Sequence, residues 1–130
     1  MLIPTEPIGS IPRPADVIAA WNDRQAGRLS EEGFRQILDS ALRDTLRRME
    51  ATGSPVVTDG EQTKSSFATY PLDGATGLVP DGVIVPFKDG HTRQLPRLTA
   101  GPFRYATHAS AYLRAAKALT RLPVKQAVIS

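Results

Sequence analysis

The amphipathic stretch over residues 30–52 constrains the fold more than any other feature of the sequence. Ser30 is a favourable helix N-cap, two acidic residues follow it, and apolar residues recur at helical spacing until Gly53. The sequence therefore predicts a long helix whose buried face is formed by Phe34, Ile37, Leu38, Ala41, Leu42 and Met49. Such a face needs an apolar partner, which the rest of the chain must supply.

Short apolar runs lie where buried strands are expected. Residues 55–58 follow the long helix and residues 124–129 form a later run, and neither alternates, as is typical of strands covered on both faces. Residues 77–104 carry an Asp-Gly turn signal between β-rich segments, which predicts a β-hairpin insertion. Residues 107–120 have helical spacing, and a helix is also expected to begin at Pro14, with Val17, Ile18 and Trp21 on one face.

This alternation of strands and helices predicts an α/β fold with parallel strands, in a single domain over residues 1–130. About three parallel strands would leave sheet edges unpaired, so the sheet is expected to be incomplete. The exposed apolar surface would then contain Val56, Val57, Val124, Val128 and Ile129. We expect self-association or association with the remainder of a larger sheet, unless the insertion at residues 77–104 covers this surface.

Composition and charge argue against several classes of function. The chain is 41% hydrophobic and 22% charged, and no apolar run is long enough for a membrane span. The net charge is +3, but the basic residues are dispersed, so no nucleic-acid partner is expected. There is no cysteine, and neither His91 nor His108 has a second ligand at metal-binding spacing. No signal peptide is visible, so the cytoplasm is the expected compartment.

The first polar cluster lies near the start of the chain. Gly9 allows the backbone to come close to a ligand, Ser10 offers a hydroxyl, and Arg13 can meet a carboxylate. The simpler alternative is that Ser10 caps a turn and that solvent surrounds Arg13. The residues alone do not decide between a ligand site and a turn.

The second polar cluster, Asp59-Gly60-Glu61, directly follows the apolar run at residues 55–58. In parallel α/β folds, active sites lie at the carboxyl ends of strands. Two carboxylates there can bind an ammonium group or position a cation. The alternative is an ordinary Asp-Gly turn with an exposed glutamate.

Taken together, the two clusters resemble the catalytic domain of cobalamin-independent methionine synthases. That family opens the domain with a segment of the Thr-Thr-Ile-Gly-Ser-Phe-Pro-Arg type, which residues 4–14 match as Pro-Thr-Glu-Pro-Ile-Gly-Ser-Ile-Pro-Arg-Pro. A Gly-Glu pair follows the second strand in the family, as in Val-Thr-Asp-Gly-Glu at residues 57–61, and residues 123–125 resemble its third strand. The resemblance is weakest over residues 70–94.

The resemblance implies the N-terminal part of a TIM-type (β/α)8 barrel, in a methyltransferase acting on a thiol such as homocysteine. It implies that Ile8, Gly9 and Ser10 hold the polar end of a thiol amino acid and that Glu61 binds its ammonium group. Asp59, in the same substrate-binding set, stands where full-length synthases commonly have histidine. The resemblance also implies a zinc ion in the full-length protein, held by residues of later strands, and a folate as a candidate methyl donor. No catalytic residue or metal ligand is predicted in this chain, so alone it is expected to be inactive.

Two other interpretations stay open. The chain can be a non-catalytic, truncated half-barrel that folds only by association. Alternatively, the parent protein can be a metal-free decarboxylase of the related porphyrinogen decarboxylase type. Zinc analysis of the full-length protein separates the methyltransferase from the decarboxylase, and the mass of the purified chain tests for truncation.

Overall fold

The computed structural model describes residues 5–90 and 92–129. These residues contain the helices α1 (Ala15–Gln25), α2 (Glu31–Ala51) and α3 (Ala109–Lys117), a 3-10 turn (Tyr70–Leu72), and the strands β1 (Leu78–Val79), β2 (Ile84–Pro86), β3 (Thr92–Gln94) and β4 (Arg97–Leu98). They form two compact units, the described residues of Met1–Phe67 with Ala109–Ser130, and those of Ala68–His108. The mixture of helices and strands agrees with the predicted α/β class.

Helix α2 is the predicted long helix, and its boundaries are confirmed to within one residue. The Ser30 side chain accepts a hydrogen bond from the Gly33 N–H at 3.1 Å, and Glu31 and Glu32 occupy the first turn. The helix ends before Gly53, whose φ of 75° favours glycine. Among the described residues, neither α2 nor any other helix is long and apolar enough to cross a membrane.

The first unit has two apolar cores, and α2 contributes to both. Its N-terminal half packs on α1, where the buried residues are Val17, Ala20, Phe34, Leu38 and Ala41. Its C-terminal half packs around Val57 and α3, where the buried residues are Leu42, Leu46, Val57 and Ala116. Val57 lies two residues before the second polar cluster, so the second core anchors the backbone that leads into that cluster.

Helix α1 differs from its prediction in two details. Pro14 is the N-cap residue, and the helix begins at Ala15. Val17 is buried, but Ile18, which the spacing places on the same face, is 51% exposed. The buried residues of α1 are Val17 and Ala20, which are three residues apart, and Trp21 packs against the same core while partly buried.

The two apolar runs predicted as strands are reduced to one parallel bridge between Val57 and Val124. The Val57 N–H donates to the Pro123 carbonyl at 3.0 Å, and the Lys125 N–H donates to the Val57 carbonyl at 2.8 Å. Pro55 and Pro123 have no N–H to extend this ladder toward their N-terminal sides. The segments therefore run side by side without forming regular strands.

The prediction of an exposed valine and isoleucine surface is partly wrong. Val57 is fully buried, because α2 and α3 cover it, and Val56 and Val124 are half-buried. Val128 and Ile129 are exposed, as predicted, at 66% and 37%. The apolar surface is thus smaller than expected and lies mostly at the end of the last segment.

The second unit contains two short antiparallel strand pairs. Strand β1 pairs with β4, with Leu78 opposite Leu98, and β2 pairs with β3. The Arg97 guanidinium donates to both carboxylate oxygens of Asp81, at 3.0 and 2.8 Å. His91, which the sequence places at a turn between two strands, lies outside the described residues.

Candidate functional site

The two polar clusters singled out in the sequence lie side by side in the first unit. The Ile11 N–H donates to the Gly60 carbonyl at 3.1 Å, and the Gln62 side-chain amide donates to the Ile11 carbonyl at 3.4 Å. Gly9 approaches the last described segment so closely that a Cβ there would lie 3.1 Å from the Cβ of Ala127. Hydrogen bonds and close packing therefore join three segments that are distant in sequence.

Glu61 has an unusual backbone conformation for its residue type. Its φ is 57°, in the left-handed region that non-glycine residues seldom adopt. The Asp59 carboxylate stabilises this turn by accepting a hydrogen bond from the Glu61 N–H at 3.0 Å. Strain of this kind costs about 1–3 kcal/mol and is typically found where it orients a functional group.

The carboxylate of Glu61 forms a buried ion pair with Lys64. Lys64 Nζ lies 3.1 Å from Glu61 Oε1, and the two side chains are 0% and 8% exposed. The same ammonium donates to the Ala127 carbonyl at 3.0 Å and lies 5.7 Å from the centre of the Tyr112 ring. These contacts fix the orientation of the Glu61 carboxylate.

Asp59 joins the turn to the last described segment. Its side chain accepts hydrogen bonds from the Thr58 hydroxyl at 3.4 Å and from the Gln126 amide at 3.2 Å. Only 1% of Asp59 is exposed. In the described structure Asp59 thus supports the turn of Glu61, and its predicted contact with a substrate stays a prediction.

Arg13 ties the first cluster to the backbone of the second. Its guanidinium donates to the carbonyl oxygens of Glu61, at 3.3 Å, and of Lys64. It also lies 5.6 Å from the centre of the Trp21 ring. The sequence suggests Arg13 as a partner for a carboxylate, and the structure adds this contact with the backbone that follows Gly60.

A cavity of about 300 Å³ opens beside Glu61, and its other described lining residues are Phe67, Ala127, Val128 and Ile129. One wall therefore presents an acidic group, and the others present apolar side chains. A small ligand with one cationic end and one apolar end has the matching chemistry, because a carboxylate paired with Lys64 can still accept hydrogen bonds from a second cation, and apolar surface favours an apolar neighbour.

The predicted residues of the first cluster lie in different surroundings. Gly9 is buried against Ala127, whereas Ser10 is exposed and Ile8 is 89% exposed. The lining that the described residues give to the cavity beside Glu61 does not include these three. Their role in holding a ligand stays a prediction.

No group of three His, Cys, Asp or Glu side chains in the described part of the chain is placed to hold a metal ion. His108 is exposed, and the sequence has no cysteine. The residues described here therefore do not fit the zinc ion that the family resemblance implies, and no chemical step can be derived through zinc from them.

Sequence comparison finds similarity to methionine synthases over about half of the chain. The methionine synthase of Thermococcus kodakarensis is 38% identical over 69 residues, which are 53% of this chain and 20% of that protein. The 5-methyltetrahydropteroyltriglutamate–homocysteine methyltransferase of Syntrophotalea carbinolica is 34% identical over 68 residues, which are 52% of this chain and 9% of that protein. The chain is a relative of the cobalamin-independent methionine synthases. No protein-family model matches it.

The fold agrees with this relationship to the methionine synthases. A B12-independent methionine synthase from a Shewanella species, solved in complex with selenomethionine, matches with a TM-score of 0.59 and 23% identity. The match covers 75% of this chain and 29% of that one. The chain therefore corresponds to a minor part of the methionine synthases that it matches.

The sequence reasoning missed several residues of the site. Lys64 is the most important, and its position three residues after Glu61 is a weak signal, because exposed Glu and Lys pairs at this spacing are common. Phe67 and Ala127 carry no polar group that would single them out. Their position at the cavity depends on contacts between distant segments, which spacing alone does not reveal.

Proposed function

We propose that the cavity beside Glu61 binds the amino-acid end of a thiol substrate, in a methyltransferase that methylates homocysteine or a similar thiol. The observation that carries the proposal is the Glu61 carboxylate, held in a strained turn, buried, and facing an apolar cavity. The similarity to methionine synthases supports homocysteine as the thiol.

The chemistry of the cavity suits a thiol amino acid. The ligand's ammonium group would donate charge-assisted hydrogen bonds to Glu61, and its methylene groups would contact Phe67 and Val128. In the overall reaction the thiol loses its proton, a sulfur–carbon bond forms to the methyl group, and the bond from that methyl group to the donor breaks. The described residues would orient the amino acid for this step, and we assign no catalytic group among them.

We further propose that Ile8, Gly9 and Ser10 bind the polar end of the same amino acid, with Asp59 completing the substrate-binding set. The support is that this cluster is hydrogen-bonded through Ile11 to the turn that carries Glu61. Because the described lining of the cavity beside Glu61 does not include Ser10, the polar end of the amino acid would extend beyond that cavity to reach the exposed Ser10 hydroxyl.

The resemblance to the methionine synthases also leads us to propose how this chain fits into a larger protein. The described segments would form the N-terminal part of a TIM-type barrel in one domain, with a β-hairpin insertion over residues 77–104. Zinc would activate the thiol by favouring its thiolate form, and residues outside the described set would hold the ion. A folate would be the methyl donor. The fold likeness to the Shewanella enzyme supports the placement of this chain within such a protein.

The proposal predicts that this chain binds L-homocysteine and that Glu61→Asp weakens binding about 10-fold or more, a change of about 1.4 kcal/mol. Aspartate keeps the charge but withdraws the carboxylate from the cavity by one methylene, which lengthens a charge-assisted hydrogen bond. Isothermal titration calorimetry gives both dissociation constants. Glu6→Asp is the matched control, because Glu6 is exposed and pairs with Lys125. No binding to the unaltered chain, or equal binding by both variants, would contradict the proposal.

The exposed apolar side chains of the first unit predict self-association. Phe67, Val128 and Ile129 line one cavity and are 55%, 66% and 37% exposed, and a contiguous apolar surface of this kind is typically covered by a partner. We expect sedimentation velocity at micromolar concentration to show a dimer or a larger species, and Phe67→Ser with Val128→Ser to shift it toward monomer. A monomer at all concentrations would show that association plays no part in the fold.

A further inference from the structure

The buried ion pair lies directly behind the wall of the cavity. Lys64 is fully buried, and its ammonium group is bound at 3.1 Å by the Glu61 carboxylate and at 3.0 Å by the Ala127 carbonyl. Both of these partners line the cavity. A ligand that binds to the Glu61 carboxylate would therefore lie close to the Lys64 ammonium and interact with its charge.

The charged groups that are bonded to the turn of Glu61 have balanced formal charges. Asp59 and Glu61 are acidic, whereas Lys64 is basic and Arg13 donates to the backbone carbonyls of Glu61 and Lys64. Solvent and salt screen such charges weakly where they are buried. A ligand at the cavity therefore meets a nearly neutral set of charges and not an isolated carboxylate.

We infer that Lys64 is a specificity-determining residue, which makes the site select a net-neutral amino acid over a net-cationic amine of the same shape. A ligand ammonium that approaches Glu61 also approaches the Lys64 ammonium, and this repulsion disfavours binding. A ligand that carries its own carboxylate beside the ammonium offsets the repulsion. This inference rests on the proposed function, since it names the charge class of the ligand for the same cavity.

Two ligands of nearly equal shape test the inference, L-homocysteine and L-homocysteinamide, in which an uncharged amide replaces the carboxylate. We expect L-homocysteine to bind this chain at least about 10-fold more tightly, because the amide brings a positive charge close to the Lys64 ammonium without a carboxylate to offset it. In Lys64→Met the preference should fall to within about 3-fold, since the repelling charge is gone. Lys125→Met, which removes a lysine from an exposed ion pair, should keep the full preference.

If Lys64→Met does not fold, the ¹⁵N resonance of the Lys64 ammonium in the unaltered chain gives the answer. The inference predicts a different shift for Lys64 with the acid than with the amide, while Lys125 responds alike to both. Equal affinities for the two ligands, or equal Lys64 shifts, would overturn the inference and leave the proposed function standing. Failure of both ligands to bind would overturn the proposed function and the inference with it.

Discussion

Lys64→Met is expected to lower the free energy of unfolding by about 3–5 kcal/mol, because it leaves the Glu61 carboxylate buried without its cation. Urea denaturation followed by circular dichroism measures the change. The double variant Glu61→Gln with Lys64→Met should be markedly more stable than Lys64→Met alone, since neither charge then remains unpaired.

Lys125→Met is the matched control for this prediction. It removes the same charge from an ion pair with Glu6, in which the Lys125 and Glu6 side chains are 43% and 50% exposed. It should lower the free energy of unfolding by about 1 kcal/mol or less. Similar losses for Lys64→Met and Lys125→Met would show that the Glu61 pair is not buried in solution. An equally unstable double variant would show that packing, and not charge, causes the loss.

Gly60→Ala is expected to destabilise the chain by about 2–4 kcal/mol, from backbone strain and overpacking together. Gly60 has a φ of 61°, and a Cβ there would lie 2.7 Å from Ile11 Cγ1 and 3.0 Å from Thr45 Cγ2. The new methyl group would therefore push the first cluster away from the turn that carries Glu61. Thermal unfolding and urea denaturation both measure the loss.

Gly53→Ala separates the two causes of that loss. Gly53 has a φ of 75°, but a Cβ there would meet nothing within 4 Å. This control should lower the free energy of unfolding by the backbone strain alone, about 1–2 kcal/mol. A Gly60→Ala chain no less stable than Gly53→Ala would contradict the close contact between Gly60 and Ile11.

Local signals explain which parts of the fold the sequence predicts. The boundaries of α2 depend on Ser30, Gly53 and helical spacing within the same stretch, so they are predicted to within one residue. The predicted strands around Val57 and Val124 require pairing between distant segments, and within residues 5–90 and 92–129 they form a single parallel bridge. Burial is also a property of distant contacts, which is why Val57 is covered although the sequence suggests an exposed position.

In the candidate site, too, local signals in the sequence predict some features, and contacts between distant segments determine the others. Glu61 is predicted because the Asp-Gly-Glu motif follows an apolar run and resembles a known family. Its φ of 57°, its pairing with Lys64 and the cavity beside Phe67 have no counterpart in the sequence pattern. They arise where the first and last segments of the described chain contact the turn that carries Glu61. The spacing of residues in the sequence does not predict that contact.

The structure of this chain with L-homocysteine bound tests the central claim most directly, by crystallography or by intermolecular nuclear Overhauser effects. The proposal predicts the ligand's ammonium nitrogen at about 3 Å from the Glu61 carboxylate, with its methylene groups against Phe67 and Val128. A ligand bound elsewhere, for example in the cavity beside Trp21 and Arg24, would contradict it. So would an unchanged Glu61 environment at saturating L-homocysteine.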